Sequence, residues 1–169
     1  AVATIGLTES ILTLIYSLAM GLSMGATAMV ARRVGEKDIK SAEVAAAQAI
    51  FLGIGLSMAI SIVGIFFSED LLRLMGASEQ LIRKNAGYAR WMLSGNITIM
   101  MLFLINGIFR GAGDASIAMR SLWLANTLNI ILDPVFIFGL GPVPAFGVEG
   151  AAIATNLGRG VGVLYQIYH

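Results

Sequence analysis

Five apolar stretches follow one another with only short polar breaks between them, and this succession leaves the chain little choice but a bundle of membrane-crossing helices. In hydrocarbon the backbone N–H and C=O groups find no water, so they must pair within the segment, and a crossing helix needs about 20 predominantly apolar residues. The stretches run from about residue 5 to 31, 42 to 67, 88 to 109, 117 to 138 and 148 to 168. Composition points the same way: 12% of residues are charged and 57% hydrophobic, whereas a soluble domain carries roughly 25% charged residues. The expected fold is all-α, a polytopic membrane helix bundle with lipid as its surroundings.

The breaks hold most of the charge. Arg32-Arg33-Val-Gly-Glu-Lys-Asp-Ile-Lys40 and Arg110-Gly-Ala-Gly-Asp114 read as polar turns, and Gly139–Gly147 as a Gly/Pro-rich loop. Between residues 69 and 87 charges alternate with leucines, a pattern suited to a connector that is either a helix lying in the interface or a helical hairpin cap, with a break at Gly76-Ala-Ser78 and Ser78 as a helix N-cap. The breaks after the first and third stretches carry six Lys or Arg (Arg32, Arg33, Lys37, Lys40, Arg110, Arg120), and the other two carry four (Arg73, Arg83, Lys84, Arg90). By the positive-inside rule the first pair is cytoplasmic. On the first stretch, Gly21, Gly25 and Ala28 form a small-residue stripe that predicts a close helix contact.

The same composition excludes several functions. A net charge of +1 with no block of like charges speaks against a nucleic-acid partner. With no cysteine and a single histidine, His169 at the end of the sequence, thiolate and histidine-cluster metal sites are ruled out. HExxH, a serine elbow of the GxSxG kind at a strand-to-helix turn, and paired carboxylates at catalytic spacing are lacking, so the chain is not expected to be an enzyme.

The chemistry concentrates in NTLNIILDPVFIF, residues 126 to 138, where Asn126, Asn129 and Asp133 fall on one helical face. A carboxylate at membrane depth is costly and faces a bundle interior or a watery cavity. Pro134 lacks an N–H and so leaves the Ile130 carbonyl without its helical partner. Asn129 lies one turn before Asp133, and Thr155 on the next helix adds a hydroxyl. Such an oxygen-rich set suits a proton or a hard cation such as sodium. A polar knot that only ties helices together is the competing reading. Asn106 is equally a helix–helix bonding group or a site residue. Glu9 has no partner that the local sequence names, and Arg159, one turn beyond Thr155, either snorkels to an interface or lines a pathway.

Four segments in order, Met29-Val-Ala-Arg-Arg-Val-Gly35, Asn106-Gly-Ile-Phe-Arg-Gly-Ala-Gly-Asp114, Leu128-Asn-Ile-Ile-Leu-Asp-Pro-Val-Phe-Ile-Phe-Gly139 and Gly147-Val-Glu-Gly-Ala-Ala-Ile-Ala-Thr155, resemble the multidrug and toxic compound extrusion (MATE) transporters. That resemblance implies a fragment of the amino-terminal lobe, helices two to six of a six-helix bundle. The first helix and the second lobe of the same polypeptide are then its missing partners. It also implies an integral membrane protein, in the prokaryotic plasma membrane, that exports small organic and often cationic compounds in exchange for sodium ions or protons. By the same resemblance Asn129, Asp133 and Thr155 match the lobe's cation site, while Asn106 matches a position that lines the drug cavity in some members. Asn126 matches no family position and is left as a packing or cavity residue. A lipid-linked oligosaccharide flippase of the same superfamily is an alternative, although a pyrophosphate would call for several deep basic residues and only Arg159 lies deep. A non-transporting membrane scaffold is another.

Overall fold

The computed structural model describes residues 2–139 and 142–169, and the side chains of all of these except 2–5, 84 and 85. Of the expected Gly139–Gly147 loop, Leu140 and Gly141 lie outside the described residues. Six helices follow one another: α1 (Val2–Gly35), α2 (Ile39–Leu74), α3 (Glu79–Ser94), α4 (Asn96–Gly111), α5 (Ala115–Phe138) and α6 (Val148–Tyr168). There is no strand among the described residues. Gly6–Gly35, Ile39–Leu74, Ala86–Gly111 and Ala115–Phe138 are each long and apolar enough to cross a membrane. Helix α6 has 21 residues, but Asn156, Arg159 and Gln166 dilute its hydropathy.

Turn chemistry sets the helix ends. Helix α1 closes with Lys37 N–H donating to Val34 O and Asp38 N–H to Arg33 O, and α2 and α4 close the same way at Gly76 and Gly113. The pattern needs one residue at positive φ, which glycine adopts freely. Gly76 (φ 85°) and Gly113 (φ 95°) supply it, and Lys37 adopts it at 59°. Asp38 and Asp114 then cap the helices that follow: Asp38 accepts from the Ser41 N–H at 3.1 Å and Asp114 from the Ser116 N–H at 3.1 Å. Over residues 69–87 the chain is a helical hairpin, the end of α2 and the beginning of α3 joined at Met75–Ser78. Ser78 occupies the N-cap position without a side-chain cap bond.

The expected third stretch is interrupted at Gly95, between α3 and α4. A Cβ on Gly95 would run into the Asn156 side chain of α6, so only glycine admits that neighbour. Asn156 Nδ2 donates to Trp91 O at 2.9 Å, next to the interruption. The buried Asn96 shares its amide N–H groups among Leu93 O, Ser57 O and Ser61 Oγ, which ties the break to α2.

Cross-helix contacts read out the topology. Ser23 meets Phe103 and Thr27 meets Gly107, so α1 and α4 run parallel. Gly150 lies on Phe136, Gly158 on Ala125 and Gly162 on Ser121, so α5 and α6 run antiparallel. The turns after α1 and α4 thus share one end of the bundle.

The centre is α4, buried on nearly every side, with Ile99, Met100 and Leu104 packed against Leu12 and Ile15 of α1 and Met92 and Leu93 of α3. The inward face of α1 is Leu12, Ile15, Ala19, Ser23, Ala26 and Val30. The stripe Gly21, Gly25 and Ala28 is exposed, and a Cβ on either glycine would meet nothing within 4 Å, so no helix among the described residues makes the expected close contact. The close approach comes from α4, whose Gly107 and Gly111 lie against Ser23 and Thr27. Small residues gather at that crossing because lipid gives apolar side chains no reason to turn inward, and tight packing with cross-helix hydrogen bonds holds the bundle instead. Phe51, Phe66, Trp123 and Ile130 accordingly face outward.

Candidate cation site

Asn129 and Asp133 sit one turn apart on α5, whose helical geometry puts them side by side. Asn129 Nδ2 donates to Asp133 Oδ1 at 3.1 Å and to Thr155 Oγ1 of α6, also at 3.1 Å. Both amide hydrogens are thereby engaged, so Asn129 Oδ1 is left as an acceptor beside the carboxylate and the hydroxyl. Asp133 is half-buried, and α5 continues through Pro134 as helix to Phe138. An amide oxygen, a carboxylate and a hydroxyl form a hard, oxygen-only donor set, the kind that holds sodium or a proton rather than a soft metal. No group of three or more His, Cys, Asp or Glu that could hold a metal ion exists among the described residues.

The antiparallel α5–α6 pair makes the cross-helix bond feasible. Gly158 lies one turn from Thr155, and a Cβ there would be 2.7 Å from Ala125 O and 3.3 Å from the Asn129 nitrogen. With glycine at that position the two backbones approach closely enough for the short threonine side chain to reach Asn129.

Asn126 is exposed and lines a cavity of about 190 Å³ together with Asn129, Thr155, Arg159 and Tyr16. Asn106 is not part of this group. It is 4% exposed, and its Oδ1 accepts from Gln166 Nε2 at 2.6 Å and Ser121 Oγ at 3.1 Å. It also borders a second cavity of about 240 Å³ with Met20, Ser23 and Arg110. Glu9 does have a partner: Tyr88 O–H donates to Glu9 Oε1 at 3.5 Å. Tyr88 itself is buried.

Sequence reasoning passed over Ser121, Gln166 and Tyr16. Gln166 was hidden in an apolar run, yet a lone amide inside such a run was the available signal, since it must find partners in other helices.

A bundle of apolar helices with a carboxylate–amide–hydroxyl cluster between two of them is a polytopic membrane architecture. The MatE family model matches residues 1–135, and the chain belongs to that family. A protein named FAD transporter from Shewanella oneidensis is 33% identical over 92% of this chain and 34% of its own length. One named probable multidrug resistance protein NorM from Thermotoga maritima is 32% identical over 96% of this chain and 35% of its own. A solved structure described as the inward-facing conformation of a multidrug resistance MATE family transporter superimposes with a TM-score of 0.89 at 38% identity, covering 98% of this chain and 37% of that one. The chain therefore spans about a third of the length of the relatives it matches, and it is part of an integral membrane protein.

Proposed function

We propose that this chain is the coupling-ion-binding part of a secondary antiporter that exports small organic compounds in exchange for sodium ions or protons. The observation that carries the reading is the double donation of Asn129 to Asp133 and Thr155, which holds three oxygen-bearing side chains together across α5 and α6. Cation binding there and substrate binding in the lobe cavities, where Asn126 and Asn106 lie, bias opposite-facing states. Relatives named for FAD transport and for multidrug resistance support an organic cargo, and their bacterial sources support a prokaryotic plasma membrane.

The test is transport by the full-length protein in liposomes, with sodium and proton gradients imposed separately. Asp133→Asn keeps the side chain's size and its hydrogen bonding to Asn129, and it abolishes gradient-driven efflux while expression and thermal stability hold. Undiminished coupled efflux by that variant overturns the assignment. Absence of any ion-dependent movement by the unaltered protein favours a scaffold instead.

A further inference from the structure

Arg159 is the cationic side chain of α6, and its guanidinium is placed where a bundle with no use for it would not put one. Nη2 donates to the Tyr16 hydroxyl at 2.8 Å, and the guanidinium carbon stands 5.8 Å from the centre of the Tyr16 ring. Nη1 is buried and has no hydrogen-bond partner among the described residues. Among the described residues, Asp133 accepts from Asn129 and Glu9 from Tyr88. The ion pairs among the described residues, at Glu36, Asp70, Glu79 and Glu69, involve Arg32, Arg33, Arg73 and Arg90, and none involves Arg159.

A guanidinium held in a low-dielectric site with an unused donor calls for an anion, because its desolvation is offset only by a charged or strongly accepting partner. The fork of N–H groups matches the oxygens of a carboxylate or phosphate. The Asn126 amide opens on the same cavity, and Leu102, Phe103 and Leu122 supply apolar wall. At about 190 Å³ the space is smaller than the roughly 300–1,000 Å³ of a pocket that takes a whole drug-sized molecule. It therefore receives one group of a ligand rather than the ligand entire.

We propose that Arg159, held by Tyr16, is a specificity-determining residue that recognises a carboxylate or phosphate group on the organic cargo. The inference rests on the transporter reading and narrows its cargo to organic anions and zwitterions. No cation at the Asp133 site is needed for it.

The experiment uses the full-length protein in phosphatidylcholine vesicles and dye pairs whose members differ by one oxyanion: riboflavin 5′-phosphate against riboflavin, and rhodamine B against its ethyl ester. Transport and binding, the latter by quenching of tryptophan fluorescence, are measured for the unaltered protein, Arg159→Gln and Arg159→Lys, with thermal unfolding as the check on folding. The unaltered protein favours the oxyanion-bearing member of at least one pair. Arg159→Gln raises KM and Kd for that member roughly ten- to a hundredfold, the range of a lost hydrogen bond to a charged group, and leaves those of its oxyanion-free counterpart unchanged. Arg159→Lys restores part of the loss because it keeps the charge without the fork. Equal losses on both members, unchanged binding, or no oxyanion preference in any pair overturns the proposal. Failure of the unaltered protein to transport any dye under either gradient sinks the transporter reading alone, and the binding measurements then still decide the role of Arg159. Repeating the unfolding with phosphatidylglycerol present separates the sources: an Arg159-dependent stabilisation by that lipid assigns the oxyanion to a headgroup.

Discussion

Gly158 on α6 lies so close to Ala125 on α5 that a Cβ at its position would come within 2.7 Å of the Ala125 carbonyl oxygen. That contact sets the spacing of the two helices that carry Asn129, Asp133 and Thr155, and the behaviour of the site follows from it.

Gly158→Val should force α5 and α6 apart. Overpacking of this kind costs about 1–3 kcal/mol, and the 3.1 Å bond between Asn129 and Thr155 cannot survive a separation of an ångström. Thermal unfolding in detergent should fall by several degrees, and cation-dependent quenching of tryptophan fluorescence should disappear. Retention of the cation response would show that Thr155 is dispensable to the site.

Thr155→Val removes one oxygen and leaves volume nearly constant, whereas Asn129→Ala removes the bridge to both neighbours. The half-saturating cation concentration for efflux should rise by roughly tenfold in the first, as for one lost hydrogen-bonding group, and by more in the second. Equal effects would mean that the bridge itself contributes nothing.

Gln166 lies at the centre of a different polar cluster, donating to Asn106 at 2.6 Å and to Ser121 at 3.1 Å. Gln166→Leu should cost roughly 0.5–2 kcal/mol, the usual range for hydrogen bonds between membrane helices. Pairing it with Asn106→Leu should cost less than the sum of the two single changes, because no polar atom is then stranded. Chemical denaturation of the four proteins in the cycle tests this.

Acid should release two helix caps at one end of the bundle. The Asp38 carboxyl is held below the usual value near 3.8 first by the Ser41 hydroxyl and then by its N–H, and Asp114 is held below it first by the Ser116 hydroxyl. A depressed carboxyl contributes its stability above the unfolded value and loses it as pH falls through the folded one. Amide hydrogen exchange at Ser41 and Ile117 should therefore accelerate only below about pH 4, and Asp→Asn at each position should abolish that acid dependence. Exchange that does not change across this window would exclude the caps.

The sequence alone determined the class of structure and much of its punctuation. Apolar length demands membrane helices, and glycine or aspartate at the turns ends and starts them for local reasons: positive φ at Gly113, side-chain acceptance at Asp114. The pairing of Asn129 with Asp133 was equally legible, since residues four apart on one helix must be neighbours.

Tertiary structure alone decided which faces turn inward and what meets across them. In lipid both sides of a helix are apolar, so periodicity carries no sign for inside and outside; that is why Gly21 and Gly25 face out while Ala19, Ser23 and Ala26 face in. Likewise, nothing local ties Arg159 to Tyr16, 143 residues away, or Gln166 to Asn106. Those contacts exist because Gly107, Gly158 and Gly162 let whole helices close to a distance at which short polar side chains can reach one another.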